Sequence, residues 1–166
     1  MALQIKKYFT LVFLFFYVTT TDANFFTFLW GKPVRNSIFY LPIGTHTRNG
    51  KRKLTYFQLM GGTYKTFYLM TFINSFGDRV FSAGVERYFW KFHRLSLGYG
   101  AGLMYGYQGK LSTVYGIPFK NSFLFKYNLN PVIVGIADFA ITKRVQLSFV
   151  LAPLVVTGGI RFNFSD

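Results

Sequence analysis

Alternation of large apolar residues with small or polar ones is the feature of this sequence that most limits its fold. In "LSLGYGAGLMYGY", residues 95–107, Leu, Tyr and Ala alternate with Ser, Gly and Met. In "VQLSFVLA", residues 145–152, the polar residues Gln146 and Ser148 alternate with Val, Leu and Phe. A period of two residues is that of a β-strand, so each segment predicts a strand with one large apolar face.

Eight such segments of roughly ten residues can be drawn, and turn residues separate them. They are residues 37–46, 55–64, 67–75, 80–90, 95–107, 131–140, 145–152 and 155–164. An even number of antiparallel strands can close into a barrel that leaves no unpaired edge. In a soluble sandwich the apolar face of each strand would lie inside and the other face would be exposed to water. Here that other face carries too little charge to be well solvated. The sequence thus predicts an all-β fold, an eight-stranded antiparallel transmembrane β-barrel, and closure of its edges predicts a monomer.

The chain is also unusually apolar, aromatic and basic, with 51% hydrophobic residues, 22% aromatic residues and a net charge of +14. The absence of cysteine excludes disulfides, thiolate chemistry and a lipoprotein anchor. A basic, aromatic surface can bind nucleic acid, but an exported chain rarely meets any, so we expect no nucleic-acid partner. The positive charge then either solvates loops or attracts anionic lipid headgroups, and we favour the lipid explanation.

The first 23 residues have the layout of a Sec signal peptide. Two lysines precede an apolar stretch at 8–18, which is short for a transmembrane helix, and Ala23 is a small residue suited to a cleavage site. The alternative is an uncleaved anchor. Cleavage leaves residues 24–166 as a barrel in the bacterial outer membrane, preceded by a short aromatic interfacial segment at 24–36.

Strand direction brings several polar residues to one rim of the predicted barrel. His46 ends the first strand, and Asn74, Ser75 and Asp78 stand at the end of the third, which runs the same way. A hydroxyl, an imidazole and an orienting polar group can support catalysis, although Ser and Asn are also ordinary turn residues. The other histidine, His93, belongs to the opposite rim, so we expect no metal site.

Inward-facing residues form two groups. Gly98, Gly100 and Gly102 either leave a slot in the lumen or only permit close packing and coiling of strands, and the pattern favours neither. Glu86 and Arg161 are expected to form a buried ion pair that fills the lower lumen.

Three prolines, Pro42, Pro131 and Pro153, lie near predicted strand rims. Proline cannot donate to a strand ladder, so a barrel wall can part beside it. Simple strand termination is the more usual reason for any one of them.

Several segments resemble the PagP family of outer-membrane lipid A palmitoyltransferases in order and spacing. They are "SIFYLPIGTH", "FYLMTFINSFGD", "FSAGVERY", "LSLGYGAGLMYG", "NPVIVGIADFAI", "VQLSFVLAP" and "GIRFNF". The resemblance implies a barrel with an acyl-chain slot. It also implies transfer of a palmitoyl chain from a phospholipid donor to lipid A, with no cofactor.

The resemblance also gives roles to individual residues. His46 and Ser75 match the family's catalytic His and Ser, and Asn74 stands where the family has Asp. An amide can neither take up a proton nor carry the charge that would stabilise an imidazolium, and Asp78 is the nearest substitute.

The lipid-binding parts of the family have counterparts as well. Gly84 matches the glycine at the floor of the slot, so the resemblance gives Gly98, Gly100 and Gly102 a use as part of that slot. Pro42 and Pro153 match prolines that loosen strand pairing where lipids enter sideways.

Three functional hypotheses follow. The first is a lipid A acyltransferase in which Ser75 and His46 act at the rim. The second is a non-catalytic barrel that binds lipopolysaccharide or another lipid, with the basic loop at 48–53 holding phosphates. The third is a small adhesion or resistance barrel, which its short loops make the weakest of the three.

Overall fold

A computed structural model of the protein describes residues 30–46, 54–117 and 120–164. The predicted signal peptide, the first part of the interfacial segment and the basic loop at 48–53 lie outside these ranges and stay predictions. Residues from Lys32 onward form one unit. Among the described residues, no helix has the length and apolar character needed to span a bilayer.

The described residues of this unit form nine strands and two short 3₁₀ helices. The strands are β1 (Lys32–Pro33), β2 (Ser37–His46), β3 (Leu54–Tyr64), β4 (Phe67–Ile73), β5 (Arg79–Phe92), β6 (Leu95–Tyr105), β7 (Leu129–Ala140), β8 (Val145–Ala152) and β9 (Val155–Asn163). The 3₁₀ helices, η1 (Lys110–Thr113) and η2 (Phe123–Phe125), lie between β6 and β7.

The sheet closes on itself. Antiparallel neighbours follow the order β5–β4–β3–β2–β9–β8–β7–β6, and β6 pairs back onto β5. The eight strands β2–β9 therefore form a closed barrel, while β1 adds two pairs to the end of β5. The predicted all-β, eight-stranded antiparallel barrel is confirmed, because its strands match the predicted segments to within two residues at each end.

Side chains alternate between the lumen and the outer surface, as the sequence pattern predicts. In β6, Ser96, Gly98 and Gly100 are buried, and in β8 Ser148 is fully buried between exposed Leu147 and Phe149. The outer surface is covered by large apolar side chains, among them Ile38, Ile43, Leu69, Phe81, Ile133, Leu151 and Ile160. The barrel thus turns its hydrophobic face outward.

The two ends of the barrel have different connections. At the end where β2 finishes, which we call the upper rim, the connections are residues 47–53, 74–78, 106–128 and 153–154. At the other end, the lower rim, the connections are the tight turns 65–66, 93–94 and 141–144. The longest loop therefore lies at the upper rim.

The middle of the lumen is apolar. Phe39, Leu41 and Leu59 are buried together, and partly buried hydrophobic side chains of β4 and β8 pack against them. In an eight-stranded barrel, ordinary side chains are large enough to fill the interior in this way.

The lower lumen holds a buried charged network. Arg161 donates to both carboxylate oxygens of Glu86, at 2.6 and 3.2 Å, which confirms the predicted ion pair. Thr63 also donates to Glu86, at 2.5 Å. Asp138, which the sequence analysis did not predict to take part, also belongs to the network. Its Oδ2 lies 3.5 Å from Arg161 Nε and accepts a hydrogen bond from Tyr88. The charged members of this network are all buried.

Candidate active site

His46 and Ser75 meet at the upper rim. His46 is the last residue of β2, and Ser75 lies in the turn that follows β4. The His46 Nε2 atom is 2.6 Å from Ser75 Oγ, within hydrogen-bonding distance. The imidazole is partly buried, with its ring centroid 5.6 Å from that of Phe57, whereas Ser75 is exposed. The serine hydroxyl can therefore donate to the imidazole at a position open to a substrate.

Asn74 shapes the turn that carries Ser75. Its side chain is only 5% exposed, and its Oδ1 accepts the backbone N–H groups of Phe76 and Asp78, both at 2.9 Å. The backbone of Asn74 is bonded to that of Asp78 at 2.9 Å and to that of Gly77 at 3.0 Å. Gly77 has a φ of 85°, which glycine adopts without strain. Asn74 thus stabilises the turn by hydrogen bonds, and the turn positions Ser75.

Asp78 contacts the turn and the long upper loop. Its Oδ2 forms an ion pair with Lys110 Nζ at 2.7 Å and lies 3.4 Å from Asn74 Nδ2. The hydrogen bond from Lys110 holds the pKa of the Asp78 carboxyl below its ordinary value. A carboxylate at position 74 would face this ionised group, whereas the Asn74 amide can donate to it. Among the described residues, no carboxylate forms an ion pair with His46.

The long upper loop supports the Ser75 turn from outside. Its 3₁₀ helices bury Leu111 and Phe125, and Asn128 Oδ1 accepts two backbone N–H groups of the loop at 2.9 Å. Besides its ion pair, Lys110 Nζ lies 5.6 Å from the centroid of the Phe76 ring. Lys110 of the loop thus contacts the turn at two residues, the Asp78 carboxylate and the Phe76 ring, which stand on either side of Gly77.

The predicted slot glycines let β5 and β6 approach closely. A methyl group added at Gly84 or at Gly102 would lie 2.2 Å from a carbonyl oxygen of the facing strand, and one at Gly98 would lie 2.3 Å from such an oxygen. No Cβ atom tolerates these distances, so close strand packing accounts for these three glycines.

Tyr68 fills the lumen beside Gly100 and Gly102. Its side chain is 6% exposed, and its hydroxyl lies 3.2 Å from Ser82 Oγ. A methyl group at Gly102 would come within 2.7 Å of the Tyr68 hydroxyl oxygen, and one at Gly100 within 3.7 Å of its ring. Since Tyr68 is paired with Gly84 across β4 and β5, an acyl chain that descends the lumen would meet a tyrosine at that level.

Two strand ladders stop short of the upper rim. The ladder between β7 and β8 covers residues 135–140 of β7, although that strand begins at 129. The ladder between β3 and β4 covers residues 60–64 of β3, although that strand begins at 54. Near the upper rim, the first part of β3 therefore lacks ladder pairing to β4, and the first part of β7 lacks ladder pairing to β8. These two unpaired stretches lie on opposite sides of the barrel.

The prolines lie at or near these interruptions. Pro131 belongs to the part of β7 that extends beyond β8, and Pro153 lies in the turn that ends β8. Pro42 lies within β2 at a shift of register toward both β3 and β9, and both ladders resume at Ile43. Pro42 therefore interrupts pairing rather than ending the strand.

The structure brings His46 and Ser75 together and places Asn74 and Asp78 behind the serine. The sequence analysis missed two residues of this region. No motif marks Lys110. Tyr68 could have been found, because the strand alternation of β4 directs its side chain into the lumen. Among the described residues, no group of three or more His, Cys, Asp or Glu side chains is placed to hold a metal ion. The sequence matches no protein-family model and no curated protein.

Proposed function

We propose that this protein is an outer-membrane acyltransferase that moves a palmitoyl-type acyl chain from a phospholipid to lipid A. The observation that carries the proposal is the hydrogen bond between Ser75 Oγ and His46 Nε2 at the rim of a barrel with an apolar outer surface. Hydroxyl and imidazole at this distance are the usual parts of a serine acyl-transfer site. The resemblance to the PagP family points to the same reaction and the same two lipids.

The chemistry proceeds in two half-reactions. Ser75 Oγ attacks the ester carbonyl of the phospholipid while His46 Nε2 takes its proton. The acyl–serine bond forms, and the departing lysophospholipid oxygen receives the proton from His46. A hydroxyl of lipid A then gives its proton to His46 and attacks the acyl group, and Ser75 recovers a proton as its bond to the acyl group breaks.

The wall of the barrel offers lipids a path to this pair. The ladder between β3 and β4 ends below the upper rim, and the His46–Ser75 bond lies above the same part of the wall, since it joins the end of β2 to the turn after β4. Ladder hydrogen bonds hold a barrel wall closed, so their absence allows an acyl chain to pass sideways. The ladder between β7 and β8 offers a second path on the other side.

The test is mass spectrometry of lipid A from cells that express the chain. The wild-type protein is expected to add the mass of one fatty acyl group, and Ser75→Ala is expected to abolish the addition. Ser112→Ala, which changes a serine of the upper loop, is the matched control and is expected to retain it. A barrel that folds in the outer membrane but adds no acyl group would contradict the proposal.

A second candidate is a barrel that binds lipid without catalysis. The contacts of Asn74 and Asp78 favour it, because both side chains serve the turn and give the imidazole no charged partner among the described residues. A catalytic imidazole that lacks a carboxylate partner supports slower acyl transfer. In that case wild-type and Ser75→Ala proteins would bind lipid A equally and leave it unmodified.

Lys110 is expected to position Ser75 in a pH-dependent way. Lys110→Met removes the ion pair with Asp78, and we expect it to slow acyl transfer by about threefold at neutral pH, the scale of an exposed ion pair. Because the pKa of Asp78 is lowered by this contact, the contribution is present at neutral pH and is lost as pH falls through that lowered pKa. Rates of purified wild-type and Lys110→Met proteins are compared at neutral pH, and the pH dependence of the ion pair is followed separately, as the free energy of unfolding of both proteins in detergent micelles across an acid pH series.

The control is Lys126→Met, which removes an exposed lysine of the same loop and is expected to leave both the rate and the free energy of unfolding unchanged. A loss of unfolding free energy in Lys110→Met that persists unchanged at a pH where Asp78 is protonated would show that the ion pair is not responsible.

A further inference from the structure

Exposed basic side chains surround the lower rim, far along the strands from the His46–Ser75 pair. They form what we call the basic ring, which consists of Lys32, Arg35, Lys65, Lys91, Arg94, Lys143 and Arg144. Of the acidic residues in the described ranges, Asp78 lies at the upper rim, and Glu86 and Asp138 are buried in the lumen. Within the described part of the chain, no exposed acid therefore offsets this charge at the lower rim.

Backbone hydrogen bonds fix the turns that carry three members of the basic ring. The carbonyl oxygen of Arg94 accepts the N–H of Ala140 at 2.8 Å, and that of Arg144 accepts the N–H of Asn163 at 2.8 Å. The backbone N–H of Lys65 donates to the side chain of another lower-rim residue, also at 2.8 Å. Each bond ties one turn to a neighbouring strand or segment, so the backbone positions of these three basic residues are fixed around the lower rim.

A band of exposed aromatic rings lies on the barrel wall beside the basic ring. Its members are Tyr64, Phe67, Trp90, Phe92, Phe139, Phe162 and Phe164. Trp90 and Phe92 stack with centroids 5.8 Å apart, and Lys65 Nζ lies 5.4 Å from the centroid of the Tyr64 ring. Along the wall, aliphatic side chains thus give way to aromatic rings and then to cations.

This order matches the passage from hydrocarbon through the interface to the headgroups of a bilayer. Solvation of the turns would require charge but would not require the adjoining aromatic band. A nucleic acid would stack on rings set among the cations, whereas these rings face outward on the same wall as the aliphatic side chains. Anionic headgroups attract clustered Lys and Arg more strongly than zwitterionic ones do.

We propose that the basic ring binds the phosphate headgroups of anionic phospholipids in the leaflet around the lower rim. The inference rests on the transmembrane part of the proposed function and is independent of the acyl transfer. It assigns the lower rim to a phospholipid leaflet, and the His46–Ser75 pair of the proposed function then lies in the opposite one.

Trp90 provides a probe within the band itself, because the protein has two tryptophans and Trp30→Phe leaves Trp90 alone. The full-length protein in this background is inserted into vesicles of phosphatidylcholine mixed with phosphatidylglycerol, and one of the two lipids carries bromine in its acyl chains. Quenching of Trp90 fluorescence then gives the relative binding of the two lipids. We expect phosphatidylglycerol to be preferred by about fivefold or more at low salt, with the preference falling as salt is added.

The variant Lys65→Gln/Arg94→Gln/Lys143→Gln/Arg144→Gln is expected to lose the preference. Its control, Arg79→Gln/Lys120→Gln/Lys126→Gln, neutralises cations of the upper rim and is expected to keep it. If the fourfold variant fails to fold, Lys143→Gln/Arg144→Gln in a single turn is expected to lower the preference in part.

Equal quenching by both lipids in the wild type would overturn the proposal, and so would a preference that survives neutralisation of the basic ring. Failure of the chain to insert into any vesicle would instead count against the transmembrane barrel. Loss of acyl transfer in Ser75→Ala with an unchanged lipid preference would separate this inference from the catalytic one.

Discussion

Replacement of His46 by glutamine is expected to lower the rate of the proposed acyl transfer by about 10²- to 10⁴-fold, the range that a general acid–base group contributes. Glutamine retains an oxygen that can accept a hydrogen bond from Ser75, but it cannot take up the proton. The barrel does not depend on this side chain, which sits at the end of β2 and is only partly buried. The rate is measured with purified protein in mixed micelles of phospholipid and lipid A.

The matched control is His93→Gln, since His93 is the other histidine and lies exposed in a lower-rim turn. It is expected to retain the full rate. A His46→Gln variant that keeps its activity would show that His46 is not the base of the reaction and that its bond to Ser75 only stabilises the rim.

The site was predictable from the sequence to the extent that it depends on strand direction. Because neighbouring strands are antiparallel, β2 and β4 run in the same direction and end at the same rim, which is enough to bring His46 near Ser75. The contacts of Asn74 and Asp78 were not predictable, because they depend on the dihedral angles of one turn and on a lysine over thirty positions away. Local sequence carries no signal for such a contact.

The fold was predictable because its pattern is simple and repeated. Alternation identifies the strands, and their number predicts closure. The lengths of the ladders were not predictable. The sequence of β7, for example, has the same strand pattern whether or not β8 pairs with its first half. The choice between a slot and close packing at Gly98 and Gly102 depends in the same way on the separation of two backbones, which composition does not encode.

The lower lumen shows a similar limit. The strand alternation placed Glu86 and Arg161 inside the barrel, and two opposite charges buried in the same lumen are expected to pair. Asp138 has the same parity on β7, yet nothing in its own segment indicates that strand register brings it to the far side of Arg161. The network has one cation for two carboxylates, so the guanidinium is its central member.

Replacement of Arg161 by methionine is therefore expected to destabilise the barrel by about 3–5 kcal/mol, the usual cost of removing one partner from a buried ion pair. Methionine fills similar space but leaves two carboxylates, Glu86 and Asp138, without their cation in a site that water barely reaches. The free energy of unfolding is measured by urea titration of the protein in detergent micelles. Arg144→Met, at an exposed arginine of the lower rim, is expected to change it by only about 0.5 kcal/mol.

The triple variant Arg161→Met/Glu86→Gln/Asp138→Asn separates charge from packing. It removes all three charges at once, so most of the loss seen in Arg161→Met is expected to be recovered, as apolar or neutral replacements of whole buried ion pairs often show. If the triple variant is as unstable as the single one, the guanidinium acts mainly through its shape and its contact with the Phe39 ring, whose centroid lies 4.9 Å away. Recovery would instead show that the lower lumen is held together by charge balance, because the carboxylates destabilise the barrel only when their cation is absent.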